Sequence, residues 1–203
     1  MAGLFESLLI GVSLAAIPGP IFFELIRRTL ARGFLSGALL ALGEFIGNSL
    51  LFSLVYFGAS SFLSSALSRL ALYLAGGCIL IWLAAAALRL KAADVESSYG
   101  RETGSADSLL AGLVIAATSP IVIALWVSLS GSYLAELQSA DAILNILLVS
   151  SGVLAFFLLL GAGISKTRHR IAPGHVLLLS KISGAILALY GASFLYQFVL
   201  LLS

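Results

Sequence analysis

The sequence predicts an all-α integral membrane protein: six transmembrane helices in two inverted three-helix repeats, with helices 1 and 4 broken at proline motifs. Three observations predict it. The 203-residue chain is 61% hydrophobic and only 10% charged, where a soluble domain carries about 25% charged residues. The charges leave six apolar stretches, each near the ~20 residues that a helix needs to cross a bilayer. Prolines interrupt the first and fourth stretches, at Ile17-Pro18-Gly19-Pro20 and Thr118-Ser119-Pro120. The length allows a single transmembrane domain over 1–203, with repeat one about 1–90, a cytoplasmic loop about 89–108 and repeat two about 109–203.

The first span covers 5–26. Each proline in it removes a backbone donor and clashes with the preceding turn. In lipid a freed carbonyl must be received by protein or by a water-filled cavity. Pro18 lies nine residues from Arg27, which on a straight helix is ~13 Å from the cytoplasmic boundary and close to mid-bilayer. Glu24 sits near the end of the span, with Arg27 and Arg28 three and four residues on. That spacing permits interfacial ion pairs. If the break unwinds the chain, Glu24 instead lines the cytoplasmic entrance.

The second span, 36–60, carries Glu44 eight residues in, or ~12 Å deep. A charge at helix centre costs about 2.5–3.5 kcal/mol on insertion scales, so Glu44 should face the bundle interior. There a carboxyl group can carry a proton, bind an ammonium group, or hydrogen-bond a neighbouring helix for structure alone. Asn48, one turn on, shares its face. Gly33-x-x-x-Gly37 and Gly43-x-x-x-Gly47 have the spacing that lets membrane helices approach closely. The third span, 70–88, contains the lone Cys78, which cannot form an intramolecular disulfide and reads as a buried, inert thiol. The connection 89–108 mixes charges of both signs with Ser and Gly.

The fourth span, 109–132, repeats the pattern of the first. Gly11-Val-Ser-Leu-Ala-Ala-Ile-Pro18 aligns with Gly112-Leu-Val-Ile-Ala-Ala-Thr-Ser-Pro120 with one residue of slip. Pro120, twelve residues from Ser108, lies ~18 Å deep. Matching breaks in two halves point to a binding site near the midplane. The amides of Pro18-Gly19-Pro20 and Thr118-Ser119-Pro120 then suit a carboxylate, since half-helix N-termini carry partial positive charge. Their carbonyls, with Glu44, suit an ammonium group or proton. Spans 142–165 and 182–202 complete the set, joined by the basic connection 166–181. Ten of the eleven basic residues fall on one side, Arg69 being the exception. The positive-inside rule makes that side cytoplasmic and both termini extracytoplasmic.

Pro18-Gly19-Pro20, Arg32-Gly33, Gly37, Gly43 and Gly47-Asn48 together resemble the opening signature of the LysE/RhtB amino-acid exporters. Gly112 with Ser119-Pro120 resembles that family's second signature, in which Asn-Pro is usual, and Ile182-Ser-Gly184-Ala-Ile-Leu-Ala-Leu-Tyr-Gly191 resembles its last span. The resemblance covers nearly the whole chain. It implies a secondary transporter of the cytoplasmic (inner) membrane that exports an amino acid or similar small solute, coupled to an ion such as the proton. The alternatives are a non-amino-acid solute or cation exporter of the same superfamily, and a non-transporting membrane assembly factor. Ile21 stands where a polar residue is frequent, and Phe22-Phe23 make the first break more apolar than the family pattern.

Other classes fit poorly. The net charge of +2 is too small to suggest nucleic acid. A thiol electron carrier needs two cysteines. A channel needs a continuous polar pore, and an enzyme a catalytic cluster; only Glu24 and Glu44 are intramembrane acids. No cofactor or metal is expected, since His169 and His175 lie in the 166–181 connection without a second ligand type. The partners are the lipid bilayer and a small-molecule substrate, with a homo-oligomer left open.

Overall fold

The computed structural model describes residues 4–59, 66–91, 106–119, 122–127, 139–168, 170 and 173–202. They form seven α-helices, α1 Leu4–Ala15, α2 Pro20–Arg32, α3 Phe34–Leu54, α4 Ala66–Leu88, α5 Ala106–Thr118, α6 Ser139–Arg168 and α7 Pro173–Leu202, with a π-helical turn Val55–Ala59 continuing α3. A further helical segment spans 122–127. Pro20 occupies the first turn of α2, where its missing N–H has no intrahelical partner to lose. Gly33 takes φ 96° between α2 and α3, a conformation that glycine alone adopts without strain, so the two helices are joined by one residue.

Four helices among the described residues are long and apolar enough to cross a membrane: 34–58, 66–88, 141–167 and 174–202. Counting α1 and α2 as one bent span gives five. The expected fourth span falls on α5, a shorter apolar helix, and the 122–127 segment; Pro120, Ile121 and 128–132 lie outside the described residues. Helices run further than the apolar stretches. α2 continues through Arg27, Arg28 and Arg32, and α6 and α7 together take up most of the 166–181 connection. Hydropathy marks the part of a helix that lipid can cover, not where its hydrogen bonds end.

The core is built from facing helices. Phe52 stacks on Trp126 with ring centroids 4.5 Å apart, packed with Ile123, Ile146 and Val149. Ala15, Leu25, Leu40, Val153 and Phe157 join α1, α2, α3 and α6. Leu80, Leu83, Ile115, Leu187 and Phe194 join α4, α5 and α7. Trp82, Leu159 and Leu189 are among the large apolar side chains left exposed, as expected of a lipid-facing surface. Cys78 is exposed too, which corrects the buried reading: on a helix apolar all round, an apolar neighbourhood does not imply the interior.

Glycines set the closest helix crossings. A Cβ at Gly11 would strike the Val149 carbonyl, and one at Gly152 the Leu8 carbonyl. A Cβ at Gly43 would strike the Leu109 carbonyl, and one at Gly112 the Leu40 carbonyl. Gly77 and Gly191 likewise face each other's carbonyls across α4 and α7. Because backbone cannot give way as a flexible side chain can, Gly112→Ala is expected to push α5 from α3 and destabilise by about 1–3 kcal/mol, the usual scale of overpacking. Thermal unfolding in detergent checks this. Gly163→Ala, with nothing within 4 Å of the added carbon, should leave the midpoint unchanged or slightly raised, since Ala is the better helix former.

Candidate functional site

The first break is built by proline chemistry. Pro18 and Pro20 cannot donate to Leu14 and Ala16, the carbonyls four residues back. Ile17 N–H takes the Leu14 carbonyl instead, at 3.2 Å, closing the end of α1 one residue tighter. Gly19 is extended, with φ −141°, so its backbone demands no glycine. The axes of α1 and α2 meet at 77°, so a depth measured along a straight helix does not apply beyond Pro18. The Pro18 carbonyl accepts a hydrogen bond from Tyr190 Oη of α7 at 3.0 Å. In the first turn of α2, Phe23 N–H bonds to Gly19 and Pro20 has no N–H. The amides of Ile21 and Phe22 are left without intrahelical acceptors.

The second break ends α5 at Thr118. Ser119 is buried, and its carbonyl accepts from Ile123 N–H at 3.1 Å, restarting a helical turn. Thr118 is half-buried and its hydroxyl donates back to the Val114 carbonyl at 2.7 Å.

Between the breaks stands α3. Glu44 is 5% exposed and Asn48 3%. Asn48 Nδ2 donates to Glu44 Oε1 at 3.3 Å, and Trp126 Nε1 donates to Asn48 Oδ1 at 3.4 Å. The second carboxyl oxygen, Oε2, is buried with no hydrogen-bond partner among the described residues. Leaving such an oxygen unpaired is unfavourable, and Glu44 lines a cavity of about 270 Å³.

Pro18, Gly19, Pro20, Asn48 and Ser119 line the same cavity. Six of the nine residues singled out in the sequence therefore meet in one place. Tyr190 and Trp126 add a hydroxyl and an indole, and the remaining wall is apolar, with Val153 and Phe157 of α6 facing in. Among the described residues no Lys, Arg or His lines it. Glu24 and Thr118 are not on its wall, and Pro120 lies outside the described residues. Trp126, Tyr190, Val153 and Phe157 carried no signal as site residues, because aromatic and aliphatic side chains in an apolar stretch look alike whether they face lipid or a cavity.

Glu24 has a different setting. It is fully buried and grips Arg27 through Nε at 2.8 Å and Nη2 at 2.5 Å. Arg28 Nε adds a third bond, at 2.6 Å. This is the ion-pair alternative of the sequence rather than the entrance. Arg27 and Arg28 are only 4% and 3% exposed, not loop residues. Arg28 Nη1 reaches on to Asp107 at 2.8 Å and Ser108 at 2.7 Å, Arg32 joins Asp107 at 2.9 Å, and the Ser36 and Ser108 hydroxyls meet at 2.7 Å. The cluster ties α2 and the start of α3 to the first turn of α5.

Asp107 precedes the apolar part of α5. Partial burial pushes its carboxyl up, but hydrogen bonds from Arg32 and Arg28 and their charges outweigh this and hold it below the usual aspartate range. A group whose folded pKa is depressed stabilises the fold above its unfolded pKa and loses that contribution as pH falls through the folded value. The unfolding midpoint should therefore drop as pH falls below about 4, the ordinary aspartate value. Asp107→Asn should be less stable at neutral pH and show a smaller acid-side drop, measured by thermal unfolding across pH.

Residues 12–198 match the profile of the family described as LysE type translocator. The chain is 27% identical over 196 residues, 94% of its length and 93% of the relative's, to the "Putative amino acid efflux protein YcgF" of Bacillus subtilis (strain 168). No solved structure matches.

Proposed function

Because the chain belongs to the LysE type translocator family, and is on that ground a multi-pass membrane transporter, we propose that it exports an amino acid from the cytoplasm in exchange for protons. The observation that carries this is the cavity, in which both breaks, Glu44 and Asn48 come together. The free amides at the start of α2 suit the substrate carboxylate. Glu44 Oε2 suits its ammonium group. One carboxyl cannot hold a proton and pair with an ammonium group at the same time, so proton and solute occupy it in turn, and competition for one group couples opposite movements.

Alternating access in this reading comes from two inverted halves. What supports them is the exchange of paired glycines: Gly11 against Gly152 in one crossing, Gly112 against Gly43 in the other. Swapping the halves exchanges the two crossings and leaves the Gly77–Gly191 contact facing itself. The Glu24 cluster closes the chain on the side of Arg27, Arg28 and Arg32, which we take as cytoplasmic from the ten basic residues. A reporter active only outside the cytoplasm, fused at Ser203, should then be active; an inactive reporter on folded, membrane-inserted protein would overturn the orientation in the inner membrane.

Transport by the purified chain in proteoliposomes tests the function. With an imposed proton gradient, at least one amino acid of a twenty-member panel should move against its own gradient, and a protonophore should abolish the movement. A chain that is folded yet moves none of them would overturn amino-acid export.

A further inference from the structure

The cavity is chemically lopsided. Its acidic side chain among the described residues is the carboxyl of Glu44 on α3, supported through Asn48 by Trp126. Among the described residues no basic side chain lines it, and the other buried acid, Glu24, is paired with Arg27 and Arg28 away from its wall. We propose that the site takes an α-amino acid with one ammonium group and an uncharged, apolar side chain, and rejects amino acids bearing a second charge. This rests on the exporter reading above.

Three observations carry it. Glu44 is on the cavity wall, and its Oε2 is buried with no hydrogen-bond partner among the described residues, so its carboxyl has room for one cationic partner. At the start of α2, Ile21 lines the cavity and its amide has no intrahelical acceptor, so it can donate to one carboxylate, while Pro20 beside it has no N–H to add. The rest of the seat is apolar. With Gly43 set against Gly152 by the two-half reading, Glu44 corresponds to Val153 and Asn48 to Phe157. Both counterparts line the same cavity. One half supplies the acid and its amide; the other supplies a valine and a phenylalanine at the matching places. A second charge on the solute would be buried against them without a partner, which is strongly unfavourable. The volume of about 270 Å³ lies just under the ~300–1,000 Å³ of drug-sized pockets, so the solute is small.

The test is exchange by the full wild-type chain, so no variant has to fold. Proteoliposomes loaded with unlabelled leucine take up labelled leucine, and external leucine, lysine, glutamate or threonine competes. Half-inhibition by lysine or glutamate should need at least about 100-fold more solute than leucine, as a buried unpaired charge demands. Threonine should need about 10-fold more, since an apolar wall rejects an added hydroxyl only moderately. If any of the three competes as well as leucine, or exchanges where leucine does not, the proposed class falls and amino-acid export stands. If no amino acid exchanges in protein shown to be folded, both fall.

Discussion

Glu44→Gln is expected to abolish net transport driven by a proton gradient. Gln keeps the size of the side chain and can still accept from Asn48, which now donates to Glu44 at 3.3 Å, so the fold should survive. The amide cannot release a proton, so the leg in which proton replaces solute fails. The charge that pairs with the ammonium group goes as well. Hydrogen bonds to charged groups contribute about 1.5–3 kcal/mol, so solute affinity should fall about 10- to 150-fold. Binding, exchange and net transport, measured on the one variant, separate the roles. Unchanged affinity with lost net transport would limit Glu44 to the proton. Wild-type behaviour in all three would remove it from the mechanism and leave a hydrogen-bonded structural residue.

Glu24→Ala is expected to have the largest effect on stability. Its carboxylate makes three bonds to Arg27 and Arg28, and both arginines are buried. Removing the acid leaves two charges in a dry setting. Arg28 keeps Asp107 and Ser108, while Arg27 loses the acceptor of its bonds through Nε and Nη2. Breaking a buried pair from one side costs about 3–5 kcal/mol, a large part of the ~5–15 kcal/mol of net stability typical of a domain. The variant should yield little folded protein and a much lower unfolding midpoint in detergent. Glu24→Gln should fall between, since its amide oxygen still accepts. A wild-type midpoint for Glu24→Ala would mean that water or lipid headgroups solvate the arginines, and the cluster would no longer hold α2 to α5. Transport by folded Glu24→Gln protein is expected to persist, because Glu24 is not on the cavity wall.

Much of the site was legible because its causes are local. A proline acts on its own backbone and on the turn before it, so the breaks near Pro18 and Thr118 follow from covalent geometry. Glu44 stands out because a charge at mid-bilayer must face the interior. Asn48 follows from the helical repeat. Glu24 split into two readings because its surroundings are not local. Arg27 and Arg28 are as consistent with a solvated connection as with a buried clamp, and only contact with Asp107 and Ser108, 79 and 80 residues from Arg28, decides.

By itself, then, the sequence determined the solvent of the chain, the place where its first helix breaks and an acid that faces the interior, since partition into lipid and backbone chemistry need no tertiary partner. The tertiary structure decided which apolar faces meet each other: the 77° turn into α2, Tyr190 on the Pro18 carbonyl, Trp126 behind Asn48, and Val153 and Phe157 opposite Glu44. Lipid tails are as apolar as leucine, so hydrophobicity cannot tell a side chain that faces lipid from one that faces a neighbouring helix. Close packing of shapes makes that choice, and shape appears only when the helices are together.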